Sequence, residues 1–413
     1  MSSRIMQIEP ADRSSRKTLT VSGRSGATTS AARCGTTPAS FIAPRCHART
    51  KDVIDVMGAT RGHRSMSVRS RMVHDSSLSL RKVAAERKLI LLFYKEFERD
   101  KFIKYDRYLK RIVRPIYNLT HARQKKTGFG VWFELLQRAL VKQGWLVRVN
   151  DYSLARKQPG YPVGLVGFPS VLEGWNLPNP AILGPCLFDH PLLASRLMED
   201  PRFRIYVVVA DWMHDMFRPV YGDACVRWFG AIDTDVWTDM SSHPKDIDFL
   251  VYDKIRWDRE KFVPELLQPI LDVLTHRGFR THVIRYKYYD HRTYRRLLER
   301  SRAMIFLCEH ETQGMAYQEA LACNVPILAW DNGYWLDPLW KQVSNVMVPA
   351  SSVPFFSPEC GDRFADLDLF EEALTRFHDR MNHYQPRKYV LENLSWERSA
   401  TIYSRAYFSL ING

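Results

Sequence analysis

Through about Ala85 the apolar residues follow neither a period of 2 nor one of 3.6, and Ser, Thr, Arg and Gly dominate. Such a segment buries too little apolar surface to offset the entropy of ordering, so residues 1–85 are expected to be disordered. The texture changes at Lys88. Leu89-Ile90-Leu91-Leu92-Phe93-Tyr94 is a continuous apolar run of the kind a buried parallel strand shows. After a basic stretch come Thr127-Gly128-Phe129-Gly130 and then apolar residues at Trp132, Leu135, Leu136, Ala139 and Leu140, the stripe of an amphipathic helix. Gly144 stands where a left-handed cap would end it, and residues 145–149 read as the next strand. Residues 89–149 are therefore expected to run strand, glycine loop, helix, strand.

Further apolar strands are expected at 163–168, 181–187 and 205–210, then at 248–252, 282–286, 303–308 and 325–330. Helical segments lie between most of them. That alternation predicts an α/β chain with parallel sheets, and the polar stretch at 241–245 divides the strands into two sets. The expected organisation is a tail at 1–85, one domain at 86–240, a second at 241–388 and a last helix at 389–413. No internal repeat of 20–50 residues is visible.

Composition narrows the function. A chain of 413 residues has room for two cores, and no apolar run approaches the ~20 residues of a membrane-spanning helix. The seven Cys include no C-x-x-C pair, so neither a zinc cluster nor a disulfide framework is legible, and a reducing, cytoplasmic setting fits best. The net charge of +15 would suggest nucleic acid, but residues 1–85 hold 15 Lys/Arg against 5 Asp/Glu, which leaves the rest only +5. A nucleic-acid partner is not expected. The Arg- and Ser-rich tail has the character of an organelle transit peptide or of a translated upstream stretch, and it lacks the apolar core of a secretory signal.

The chemistry concentrates at residues 304–330. An apolar strand runs into the polar turn Cys308-Glu309-His310-Glu311-Thr312-Gln313, Gly314 sits where a helix would begin, and a strand follows after Asn324. Ligands of open α/β sheets gather at this edge. Free amides at Gly314, Met315 and Ala316 can bind phosphate or sugar oxygens, and Glu311 and Glu319 bracket them as acceptors for vicinal hydroxyls.

Glu311-x7-Glu319, with Ala320-x-Ala322 and then Pro326, resembles the nucleotide-sugar site of retaining GT-B glycosyltransferases, family 4 in particular. Two other segments share the resemblance. Tyr221-Gly222 with Phe229-Gly230-Ala231-Ile232-Asp233-Thr234-Asp235-Val236-Trp237 is similar to the family's inter-domain "YG … NGVDTxxF", and Leu394-Ser395-Trp396-Glu397 to the "FSW" opening of its last helix. Asn324, Gln313 and Phe229 replace a Gly, a Gly and an Asn of the pattern. The resemblance covers residues 88–413.

It implies a GT-B fold, with two Rossmann-like domains whose parallel sheets face a central cleft and a C-terminal helix crossing back. It also implies hexose transfer from a nucleoside diphosphate sugar, with retention and without metal or other cofactor, to a glycan, lipid-linked or small-molecule acceptor, with the inner membrane surface as a compatible location. Residues carried over as catalytic are His190, Lys254, Arg256 and Glu311; those for the nucleotide sugar are Gly128, Gly130, Gln313, Gly314, Met315, Ala316 and Glu319. The family's basic pair is spaced five apart, which Arg256 with Lys261 or Lys254 with Arg259 would match, whereas Lys254 and Arg256 lie nearest the strand end. His214 competes with His190. Asp233-Thr234-Asp235 is a metal-type D-x-D, but it falls inside the linker signature and is assigned no metal. Arg292, Arg295, Arg296 and Arg300 read as the solvated face of a helix. A catalytically silent sugar-nucleotide or polysaccharide binder is the alternative.

Overall fold

The computed structural model describes residues 88–95, 128–341 and 344–412; the expected tail and Thr127 lie outside them. The apolar run at 89–94 forms β1 (Leu89–Lys95), whose first five residues are buried. β2 (Leu146–Val149), β3 (Val163–Gly167), β4 (Ala181–Leu183), β5 (Phe203–Val208) and β6 (Cys225–Arg227) complete a parallel sheet in the order β2-β1-β3-β4-β5-β6. The second sheet, also parallel, holds β7 (Ile247–Lys254), β8 (Thr281–Arg285), β9 (Ser301–Cys308), β10 (Ile327–Trp330) and β11 (Gly361–Phe364) in the order β11-β10-β9-β7-β8. In each sheet the strand order reverses beside its own first strand, between β1 and β3 and between β7 and β9. Connections leave such a point in opposite directions, and their loops part to form a crevice.

Alternation along the central strands divides the second domain's core. Leu250, Tyr252, Met304 and Phe306 point to one face of the sheet, and Phe249, Val251, Ala303 and Ile305 to the other. Burial of each large apolar side chain contributes about 1.5–3 kcal/mol. Both faces must therefore be covered by helices, as the continuous apolar runs in the sequence required.

Among the described residues the helices of eight residues or more are α1 (Gly128–Lys142), α2 (Asp211–Tyr221), α3 (Gln268–His276), α4 (His291–Arg300), α5 (Met315–Ala322), α6 (Phe370–Asp379), α7 (Pro386–Asn393) and α8 (Trp396–Asn412). α1 buries Leu135, Leu136, Ala139 and Leu140 of the expected stripe. Among the described residues it runs from Gly128, so Gly128 and Gly130 are helical and do not stand in a loop ahead of it. α8 crosses back to the first domain. Its Tyr407 hydroxyl donates to Pro162 O and accepts from Leu91 N at 2.9 Å, and its Ser399 accepts at the carbonyl from Trp228 Nε1 at 3.0 Å. Tyr403 can lie against β3 only because Gly164 has no Cβ, which would collide with the Tyr403 hydroxyl. No helix among the described residues is long and apolar enough to cross a membrane. The five described cysteines are all buried thiols without a disulfide.

Candidate functional site

Lys254, the last residue of β7, is the register partner of Cys308, the last of β9. That pair ends the two strands that flank the second sheet's switch point, so the residues just beyond it stand at the edge where such sheets bind ligands. Glu309 is fully buried there, and its Oε1 accepts the backbone N–H groups of Arg256 (2.7 Å) and Trp257 (3.0 Å). The same carboxylate takes Arg256 Nε at 3.4 Å, while Arg256 Nη2 donates to His310 O at 2.6 Å. Lys254 forms a buried ion pair with Glu311. Burial works against both cations, but the facing carboxylates, Glu311 for Lys254 and Glu311 with Glu309 for Arg256, raise the ammonium and the guanidinium above their ordinary values. Burial, and then Arg256 and Lys254, hold the His310 imidazole well below its ordinary value, so it is neutral.

Two other basic residues had matched the spacing of five. Arg259 is held away from the crevice by both Asp253 oxygens (2.8 and 2.7 Å) and by Ile255 O. Lys261 is exposed beside Glu265. Of the four, Lys254 and Arg256 are those that reach the Glu311 turn.

α5 begins at this turn. Gly314 is its cap, left-handed at φ 81°, and supplies no capping side chain. The amides of Met315 and Ala316 are thus left free for an incoming oxygen. A Cβ on Gly314 would run into the Tyr317 ring. Gln313, expected to touch the nucleotide sugar, is buried, and its side-chain amide is committed elsewhere. It accepts from Gly230 N and from Trp132 Nε1, both at 2.9 Å, and donates to Gly230 O (2.5 Å) and Gln318 Oε1 (3.1 Å). These bonds tie together α1, the inter-domain linker and α5. Trp212 Nε1 of α2 adds a further cross-domain bond to Glu311 O at 3.0 Å.

Glu319 and Met315 line a cavity of about 420 Å³ bounded by Leu135 and Arg138 of α1, Asp233 of the linker, and His291, Arg292 and Arg295 of α4. The arginines read as a solvated face are indeed exposed, yet two of them form this rim. Burial pushes the Glu319 carboxyl up to about 8. An unfolded Glu releases its proton near 4.3, so between those values the unfolded chain holds fewer protons and stability should fall as pH rises from about 4 to about 8. Melting temperatures across that range should show this slope, and Glu319→Gln should flatten it. An equal slope in both proteins would mean that other groups set it.

His190 is buried, caps the turn at Pro191–Leu193 and stacks on Trp340 at 3.8 Å. Its Nδ1 accepts from Leu192 N at 3.1 Å, which places the proton on Nε2. Burial lowers its pKa to about 4. His214 lies within α2 beside Asp215. In the D-x-D, Asp233 pairs with Arg138 and Asp235 with Lys142 at 2.9 Å, so both carboxylates tie the linker to α1. No metal-ligand cluster is present among the described residues. Glu309, which organises Arg256, was missed although it lies inside the quoted turn. The tryptophans around His310 come from scattered segments and carry no motif.

The sequence matches no family model and no curated protein. Among solved structures the fold is similar to sucrose-phosphate synthase from Thermosynechococcus elongatus, at 12% identity over 79% of this chain and 100% of that one, with a TM-score of 0.46. It is also similar to the lipopolysaccharide outer core galactosyltransferase WaaB in its apo form, at 10% identity over 78% and 99% of the two chains, with a TM-score of 0.43. A chain of the GtfA/B complex matches over 63% of this chain and 60% of its own length, at 12% identity and a TM-score of 0.43.

Proposed function

We propose that the chain is a glycosyltransferase that moves a hexose from a nucleoside diphosphate sugar to an acceptor hydroxyl, with retention and without metal. The observation that carries this reading is the convergence of Lys254, Arg256 and the uncapped N-terminus of α5 at the switch point of the second sheet. Such a site suits a diphosphate. Glu319, in the adjoining cavity, would accept from a ribose diol, and Glu311 from the sugar. Gly128 and Gly130, without side chains on α1, would let a diphosphate approach, and His190 Nε2–H would donate to a hydroxyl of the transferred hexose. As the C1–O bond to phosphate breaks, its electron pair passes to the diphosphate, which Lys254, Arg256 and the α5 amides stabilise. The acceptor oxygen bonds C1 on the same face, and its proton passes to the leaving phosphate oxygen.

A second reading is a catalytically silent binder. It draws on the internal neutralisation of the cations, Lys254 by Glu311 and Arg256 by Glu309. Thermal stabilisation and hydrolysis assays with UDP-, GDP- and ADP-hexoses separate the two. The transferase should be stabilised by one donor and hydrolyse it slowly, with undiminished turnover in excess EDTA. Stabilisation without turnover would leave the silent binder, and no binding at all would overturn both. Glu319→Ala should weaken the free nucleotide and the nucleotide sugar alike, whereas Glu311→Ala should spare the free nucleotide. Because hydroxyl donors favour the ionised carboxylate, nucleotide affinity should rise with pH through about 8 and lose that dependence in Glu319→Gln.

A further inference from the structure

The chemistry proposed at the diphosphate is indifferent to the base that the donor carries, so a preference for one base has to come from the cavity beyond Glu319. The walls of that cavity are mostly apolar: Val131 and Leu135 of α1, Ile232, Val236 and Trp237 of the linker, and Met315 of α5. At about 420 Å³ it lies in the ordinary size range of small-molecule sites. Met315 and Glu319, one helical turn apart, join it to the free α5 amides. A nucleotide with its diphosphate at those amides and its diol on Glu319 would carry its base into this space.

The polar groups at the rim are unevenly free. Arg138 is held by Asp233, and its guanidinium lies 4.9 Å over the Trp396 ring. His291 stands with its ring against Trp237. Arg292 and Arg295 are three apart and so share a side of α4, both are exposed, and neither side chain makes an ion pair or hydrogen bond among the described residues. The acidic residues nearest them are engaged elsewhere, Asp290 by Thr293 N at 2.7 Å and Glu299 by His243 at 3.1 Å. Arg296, the next residue, is equally exposed but does not line this cavity.

Two free guanidiniums make a rim of donors. Guanine presents O6 and N7 side by side as acceptors, which an arginine fork meets with two parallel bonds. Adenine sets its 6-amino group, a donor, beside N7, and uracil, like thymine, offers O4 alone on that edge. A phosphate group would suit the charge of the rim but not the apolar walls behind it. We infer that the donor is a guanosine diphosphate sugar, its base selected by Arg292 and Arg295 through guanine O6 and N7. The inference rests on the transferase reading and narrows its donor.

Calorimetric titration of the full chain with GDP, UDP and ADP tests it. GDP should bind about 10-fold or more tightly than either of the others, about 1.4 kcal/mol, which is within the range of one bidentate arginine–guanine contact. IDP, which lacks only the 2-amino group, should stay within about 3-fold of GDP, and 7-deaza-GDP, which lacks N7, should lose most of the preference. In Arg292→Lys/Arg295→Lys the charge remains but the planar fork is gone, so GDP, UDP and ADP should converge to within about 3-fold of one another. Arg296→Lys should keep the parent's preference, and the melting temperature of each variant guards against a folding artefact. Tighter binding of UDP or ADP than of GDP would overturn the inference, as would a preference for GDP that survives in the double Lys variant. A loss shared equally by the three nucleotides in that variant would leave the arginines as charge alone and overturn it too. IDP weaker than GDP by 10-fold or more would put the opposite edge of guanine on a carboxylate, and the assignment to the two arginines would fall. If UDP or ADP binds best, this inference fails and the transferase reading stands; if no nucleotide or nucleotide sugar binds, both fail.

Discussion

Lys254→Ala is expected to lower kcat/KM by about 10²-fold or more, the scale of removing one preorganised stabiliser of transition-state charge. It should also cost stability, by a separate route. Lys254 and Glu311 are both nearly inaccessible, so deleting the ammonium leaves a buried carboxylate unpaired at a cost of about 3–5 kcal/mol. The two effects can be separated. In Lys254→Met/Glu311→Gln no unpaired charge remains, and replacing a buried pair by neutral groups of similar volume is often neutral for stability. The double variant should therefore melt close to the parent while remaining inactive. Melting curves and steady-state rates with the donor identified by screening measure both. If Lys254→Ala keeps its turnover, the ammonium has no part in supporting the leaving group.

Much of the fold could be read because its strands are apolar on both faces. The run at 89–94 and those near 163, 205, 248, 303 and 325 all stand as strands within a few residues of the expected limits. β4 is shorter than expected, since Gly184 at φ 105° turns the chain and Pro185 has no N–H to continue a ladder. β6 and β11 went unread. Cys225-Val226-Arg227 and Gly361-Asp362-Arg363-Phe364 are edge strands of three and four residues, half polar, and nothing in so short a stretch separates them from loop.

The site divides in the same way. Residues whose role follows from backbone position, such as Gly314 as a cap and Lys254 at a strand end, were legible because the alternation of elements fixes where the strands end. Residues whose role depends on which side chain meets which were not. Glu309 and Glu311 are two apart in one turn, yet one holds the Arg256 backbone and the other holds Lys254. Only the fold separates those roles. His190 and Trp340 meet from positions more than a hundred residues apart, so no local pattern could announce their stacking.

The second large effect is expected at Gln313, where the motif implies a ligand contact and the structure places a clamp. Its amide meets both backbone groups of Gly230, together with Trp132 Nε1 and Gln318 Oε1. Alanine would leave those buried groups without their partner, each at about 1–3 kcal/mol, less whatever water recovers. A net loss of about 3–5 kcal/mol would lower the melting temperature by roughly 10 °C, at 2–4 °C per kcal/mol for a domain of this size. Gln313→Glu should do at least as much harm, because a carboxylate oxygen would then face Gly230 O where an amide N–H donates now. Well below the transition, nucleotide affinity should change by less than about 3-fold, because the α5 amides and Glu319 are untouched. Calorimetry for the transition and titration for the affinity measure the two independently. Should Gln313→Ala melt like the parent and lose nucleotide affinity instead, the amide serves the donor as its motif position implies, and the linker at Gly230 is held by something other than this side chain.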